Sequence, residues 1–456
     1  MKKIILPTIL MTAVVGVLLA QDPPQPPKQQ TDTVRTVISS TSSGLPPRIA
    51  VPDFIPLTND PDTVAAAKLL GQVLWDDLNF EREFYLISRD TYRTIPQARS
   101  FTDIPLDRWK ELGTDGLVMG TVRRDGKNIT VQVRLIEVNS GRSAFGKEYS
   151  GSAENPRFFA HTISDEIHMD QRNLRGVART KLAFASNRSG DQMKGPVDKR
   201  GVQNIYITDY DGANQRRITV AQTLELAPAW SPDARSIAYT SYVSGYPDII
   251  VADIYQARNS RPAKGSDRVH NFLPAWSPDG SKLAFMSQRD GNPEIYVVNR
   301  DGSGLRRLTN HPGNDVTPTW APSGAQLAFT SDRTGRPQIW IMNADGTGQQ
   351  QITRETWCDR PTWSPAPFNE IAYASQAGGG YDIRIFDFAT RSVRSITNGE
   401  GSNESPTFSE NGRHIAFASS RAGKYQIFTV DRTGENVRQI TKQGDNRYPN
   451  WSNGPR

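Results

Sequence analysis

One short pattern constrains this chain more than anything else in it. Proline, any residue, an aromatic residue and then serine or alanine recurs six times, at Pro228–Ser231, Pro274–Ser277, Pro318–Ala321, Pro361–Ser364, Pro406–Ser409 and Pro449–Ser452. The aromatic positions (Trp230, Trp276, Trp320, Trp363, Phe408 and Trp451) are separated by 46, 44, 43, 45 and 43 residues. A second pattern, apolar–Ala–aromatic–x–Ser, also occurs six times, from Leu182–Ser186 to Ile415–Ser419. A third strand-like piece begins at Ile205, Ile249, Ile295, Ile339, Ile383 and Ile427, and Asp-Gly turns such as Asp301-Gly302 lead into a short fourth. Only the second unit lacks a clear fourth piece, between Asp253 and Asp267. A period in the forties with four strand-length pieces per unit marks a β-propeller blade, and the count predicts six blades. The first Leu-Ala-Phe-Ala-Ser has no proline–tryptophan pattern before it, and the last such pattern has no strand after it. The C-terminal strand near Trp451 is therefore expected to complete the first blade, which removes two exposed sheet edges at once.

The repeated residues have structural reasons. A tryptophan can fill the gap between blades, burying about 150–250 Å² of ring surface. Ser-Pro-Asp-Gly supplies the fixed φ and the positive φ of a tight turn, and alanines let blades approach closely. These are core and turn residues, and they say little about chemistry.

Ahead of the repeat, residues 48 to about 170 mix two periods. Ile49, Val51 and Phe54 open with a strand, and Val64, Leu69, Leu70, Val73, Leu74 and Leu78 follow at helical spacing. Tyr85–Ile87 reads as a short strand and Pro105–Leu112 as a short helix stopped by Gly113. Gly116–Arg123 and Asn128–Val138 are strands joined through Asp125-Gly126, a hairpin signal, and a last helix covers Asn155–Met169. The expected fold class is an all-β six-bladed propeller preceded by a small α/β domain.

The chain starts Met1-Lys2-Lys3, continues uncharged from Ile4 to Ala20 and breaks at Gln21-Asp22-Pro23-Pro24, the build of a secretory signal. Four prolines between Gln21 and Thr33 favour an extended spacer. Thr33–Ile38 is strand-prone and Ser39–Gly44 a hinge, so this patch either docks on its own protein or adds a strand to a partner's sheet. The expected organisation is a signal peptide over 1–20, spacer and arm over 21–47, the α/β domain over 48–173 and the propeller over 174–456.

Composition narrows the classes of function. A mean hydropathy of −0.57 and a single long apolar run exclude a multi-span membrane protein, and after signal cleavage no span is expected. The net charge of +6 is spread along 456 residues rather than gathered in a stripe, which argues against nucleic acid as a partner. One cysteine, Cys358, permits neither an internal disulfide nor a cysteine-based metal site. No Gly-x-Ser-x-Gly elbow and no His-Glu-x-x-His pair occurs among the residues, so no catalytic residue, metal ligand or cofactor is expected. His161 and His168 lie seven apart, two turns along one helix, and read as structural. Gly141–Lys147 imitates a phosphate loop, but Glu148 stands where Ser or Thr is needed; Asp209–Gly212 is half a calcium loop and reads as a turn.

The turns of Trp-Ser-Pro-Asp-Gly type, Leu112-Gly-Thr-Asp-Gly-Leu-Val-Met-Gly120, and Ile163-Ser-Asp-Glu-Ile167 leading into Leu174-Arg-Gly-Val-Ala-Arg-Thr180 together resemble the TolB family of the Tol–Pal envelope system. The resemblance runs over nearly all of the chain after its signal, and domain order is its most specific part. It implies a non-enzymatic periplasmic adaptor, a monomer, that supports outer-membrane integrity and constriction at division. It further implies that the propeller mouth binds the peptidoglycan-associated lipoprotein Pal and that the N-terminal arm binds the inner-membrane protein TolA. On this chain the mouth positions are His270, Leu273 and Val316, with His270 matching the family's lipoprotein-contacting histidine; the last two differ in residue type from the family. The arm positions are Val34, Arg35, Val37 and Ile38. The proline-rich spacer ahead of them departs from the family, whose arm usually starts the mature chain. The alternative reading is an exported propeller that binds another envelope peptide or glycan.

Overall fold

A computed structural model describes residues 36–40, 44–193 and 201–454. The export segment, the proline-rich spacer, and Val34 and Arg35 of the arm lie outside the described residues.

The α/β domain is one mixed sheet. Strand β1 (Arg48–Ala50) pairs in parallel with β3 (Tyr85–Leu86) and with β4 (Gly116–Asp125), and β2 (Ile55–Pro56) joins β4 further along. Strands β4, β5 (Asn128–Glu137) and β6 (Ser143–Ser152) form an antiparallel meander. Helix α1 (Pro61–Glu81) starts where Asp60 accepts the Thr63 amide at 2.9 Å and proline takes the first turn; it stops where Arg82 turns left-handed. Its inner face, Ala66, Ala67, Leu70, Val73, Leu74 and Leu78, packs with Phe159, Ile163 and Ile167 of α3 (Pro156–Arg172) against the sheet. Val64 and Leu69, expected within the helix pattern, lie about a quarter to a third of a turn off that face and stay 45% and 37% exposed. The opposite sheet face is covered by residues 88–112, which include the turn Arg89–Thr94 and the short helix α2 (Leu106–Glu111), through Trp109, Tyr92 and Ile95.

The propeller is six four-stranded sheets. Blade one joins Asn446–Trp451 to Lys181–Ser186, Asn204–Asp209 and Arg216–Arg217, so the two incomplete end repeats meet in one sheet. Blades two to six begin at Glu225, Asn271, Asp315, Cys358 and Asn403. Blade two does have a fourth strand, Arg258–Ser260, paired with Val251–Asp253. Its three residues are exposed and polar, so no apolar pattern announces it; backbone pairing alone makes it a strand.

Tryptophans join neighbouring blades. The Trp276 indole donates to the Ala229 carbonyl of blade two at 3.1 Å, and the Trp451 ring of blade one packs with Ala416 and Ile427 of blade six. The prolines of the repeat have a second reason to be there. Every innermost strand shifts register between its second and fifth residues, as between Phe272 and Ala275. At that bulge a left-handed residue is followed by a proline, which has no amide to waste where the ladder is broken.

The α/β domain sits on the propeller face that carries the turns after the innermost strands. Asp77 accepts the Tyr210 hydroxyl at 2.7 Å, and both Glu81 oxygens accept Asn411 Nδ2 at 3.0 and 3.1 Å. The other ends of those strands, where His270 lies, form the opposite face. Among the described residues no helix is long and apolar enough to cross a membrane.

Candidate functional site

The mouth opposite the α/β domain is assembled from the same register position of each blade. His270 immediately precedes the innermost strand of blade three; its ring meets Phe272 edge-on at 6.4 Å, and Phe272 meets Tyr242 at the same distance. The register equivalents of His270 are Asn314 in blade four and Trp357 in blade five, each one residue before its strand. Trp357 remains 40% exposed, unusual for so large an apolar ring. Val316 is the register equivalent of Phe272, is half-buried, and pairs with Thr330.

One residue deeper, Ala227, Leu273, Thr317, Arg360, Ser405 and Tyr448 form a ring of left-handed residues with φ between 50° and 56°. All six border the central cavity of about 300 Å³, together with the prolines that follow them. Leu273 thus reaches the channel, its amide held by Thr240 Oγ1 at 3.0 Å, whereas His270 and Val316 stay on the rim above it. The ring is chemically uneven. Thr317 and Thr330 both hydrogen-bond Asp359 Oδ1, at 3.3 and 2.9 Å, and the Arg360 guanidinium passes blade six to lie over the Tyr448 ring at 4.6 Å. A guanidinium over a tyrosine face is a favourable cation–π contact, and here it spans part of the channel.

Four arginines brace this rim from beneath. Arg188, Arg289, Arg333 and Arg421 each donate Nε to the serine two residues earlier, at 2.9–3.1 Å, and lie over Phe184, Phe285, Phe329 and Phe417. Their Nη2 atoms then reach the first residue of the adjacent innermost strand: Asn446, Asn271, Asp315 and Asn403. The serine that closes each apolar–Ala–aromatic pattern is therefore an anchor for the mouth wherever arginine follows it.

Sequence reasoning named His270, Leu273 and Val316 and missed Phe272, Trp357, Arg360 and Tyr448. For Arg360 and Tyr448 the signal was present: the residue before each repeat proline varies freely inside an otherwise constant motif, as expected of a position that faces a ligand rather than a core.

The arm lies on the other domain. Ile38 is buried in the α/β core, its amide donating to Gln171 Oε1 at 2.8 Å, while Gln171 Nε2 donates to the Thr36 carbonyl at 3.0 Å. Arg172 adds a bond to the Ile38 carbonyl, and Val37 points outward, 47% exposed. Two side chains near the C-terminus of α3 therefore hold the arm's backbone as a neighbouring strand would.

The polar groups elsewhere are engaged in structure. His161 Nδ1 faces Asp77 at 2.8 Å, His168 Nδ1 faces the Ser164 carbonyl, and His311 Nδ1 accepts the Gly313 amide. Asp209 is held by Lys181 and Asn214 within its turn. Among the described residues no group of three histidine, cysteine, aspartate or glutamate side chains is placed to hold a metal. Burial pushes the Cys358 thiol up to about 12, so it is no thiolate nucleophile.

Residues 172–454 match the model of the TolB beta propeller domain family, and residues 37–144 match that of the TolB amino-terminal domain. The chain belongs to the TolB family. Two curated relatives carry the name Tol-Pal system protein TolB. One, from Desulfosudis oleivorans, is 34% identical over 46% of this chain and 46% of its own length. The other, from Anaeromyxobacter dehalogenans, is 32% identical over 59% of this chain and 61% of its own length. The chain thus spans about half to three fifths of the curated relatives it matches. The crystal structure of TolB from Acinetobacter baumannii shares the fold, with a TM-score of 0.75 at 23% identity over 93% of this chain and 100% of that one.

Proposed function

We propose that this TolB family member is a non-enzymatic adaptor of the Tol–Pal system in the periplasm. On this reading it binds a Pal-like peptidoglycan-associated lipoprotein at the propeller mouth, around His270, Leu273 and Val316. It engages a TolA-like inner-membrane protein through the arm that contains Val34, Arg35, Val37 and Ile38, and so serves envelope integrity and constriction at division. The observation that carries the reading is the match to both TolB family models in one chain and in the family's order. Two features support it. The mouth is turned away from the α/β domain, which leaves the His270 rim open to a partner. The arm is held by hydrogen bonds around Gln171 and by the buried Ile38 side chain rather than by a sheet, so a partner strand that offers both can replace this docking.

The test is calorimetry of the chain from Gln21 against the soluble domain of the peptidoglycan-associated lipoprotein of the same organism. Saturable binding that His270→Ala weakens at least tenfold, about 1.4 kcal/mol, is the expected result. Absence of binding by the unsubstituted chain would overturn the lipoprotein assignment and return the mouth to a peptide or glycan ligand.

A further inference from the structure

Helix α1 meets the propeller through two carboxylates one turn apart, Asp77 and Glu81, each only 2% exposed. Asp77 is satisfied by His161 of its own domain and by Tyr210 of the propeller. Glu81 is different, because the propeller answers it with a histidine. His414 Nε2 lies 3.3 Å from Glu81 Oε2, while its Nδ1 lies 3.1 Å from Asp431 Oδ1. The ring is buried between Phe80 of α1, stacked at 4.1 Å, and Trp451 of the closing strand. A neutral imidazole has one N–H and one lone pair. With a carboxylate at each nitrogen, the neutral ring turns its lone pair on one of them inside a water-poor interface.

Neither carboxylate offers a place for the missing proton. Glu81 already accepts the Val177 amide at 3.1 Å and Asn411 Nδ2, with Arg413 Nε at 3.6 Å. Asp431 is held by Arg82 at 3.3 Å and by Asn436. We propose that His414 is an imidazolium bridging the two domains, and that its proton controls how tightly the α/β domain is docked on the propeller. The inference concerns this chain's own interface and does not depend on which partner the mouth takes.

The surroundings fix the sign. From α1 and the residues that follow it the charged or titratable neighbours are Glu81, Arg82 and Glu83; from the propeller, Asp431, Arg413, paired with Glu83 at 2.7 Å, and Arg438, which lies over Phe80; from α3, His168. Burial pushes the His414 imidazole down, but hydrogen bonds to Asp431 and Glu81 outweigh it and hold the group above 6.5. Burial also pushes Glu81 and Asp431 up, and His414 brings both below their ordinary values. His168 is driven the other way by burial.

Asp431 faces His414 whether or not the domains are docked; Glu81 does so only when they are. Docking also buries the ring under Phe80, which lowers the imidazole pKa, but the bond to Glu81 outweighs that burial and docking raises the pKa further. Its contribution is complete below the undocked value and is lost as pH rises through the docked one. On the acid side the bridge fails where Glu81 and Asp431 become protonated, below their ordinary range.

The experiment is an NMR titration of the histidine rings in the whole chain, with the His414 signal assigned by its proximity to the Phe80 and Trp451 rings. The expected midpoint lies above 6.5 and falls in Glu81→Gln. In parallel, exchange protection of the Val177 amide, which docks on Glu81, is followed from pH 6 upward. Protection should fall roughly tenfold for each unit by which docking raises the midpoint, and this pH dependence should vanish in His414→Gln. A midpoint in the unsubstituted chain at or below 6.5, or one that Glu81→Gln leaves unmoved, overturns the proposal; the first readout needs no variant to fold.

Discussion

At the scale of single residues, the position before each repeat proline decides both backbone shape and what the channel offers. A non-glycine residue in the left-handed region costs about 1–2 kcal/mol, and this chain accepts that at Ala227, Leu273, Thr317, Arg360, Ser405 and Tyr448 in turn. The bulge they create turns six side chains inward from strands whose neighbours are committed to packing. Core and rim then separate under substitution. Trp451→Ala should cost about 3–5 kcal/mol in denaturant unfolding, because its ring is 6% exposed and bonded to Thr180. His270→Ala should stay within about 0.5 kcal/mol of the unsubstituted chain, because its half-buried ring meets only the rim aromatics. The tryptophans were legible in the sequence since their spacing is rigid. Arg360 over Tyr448 was not, because a contact across the ring joins repeats that no local pattern relates.

Single elements were legible to the extent that their own side chains specify them. Helix α1 carries its cap, its proline and its apolar stripe, and the β4–β5 hairpin carries Gly126 at φ 58°. By contrast, β6 and the edge strand Arg258–Ser260 are strands because a neighbour's backbone makes them so. The arm belongs with this second group. Its apolar pattern left open whether it docks at home or on a partner, and the docking on α3 depends on Gln171, 133 residues away from Ile38. Gln171→Ala leaves the buried Ile38 amide without its acceptor, a local loss of about 1–3 kcal/mol. Amide exchange at Ile38 should accelerate at least fivefold while the α/β core keeps its protection. Unchanged exchange at Ile38 would mean that burial of its side chain alone holds the arm.

For the whole molecule, six blades and a preceding α/β domain were readable because a repeat counts itself, and the count is that of the observed sheets. How the two parts meet was not readable: Glu81 lies more than 300 residues before Asn411 and His414, and each is an unremarkable polar residue where it stands. Their arrangement leaves the mouth on the propeller face away from the α/β domain, while the arm is docked on that domain. Amide hydrogen exchange of the chain with and without the soluble domain of a Pal-like lipoprotein tests the proposed binding at this mouth. New protection is expected at residues 270–273 and 314–317. Protection confined to the α/β domain, around Arg89–Trp109, with the mouth unaltered, would contradict it.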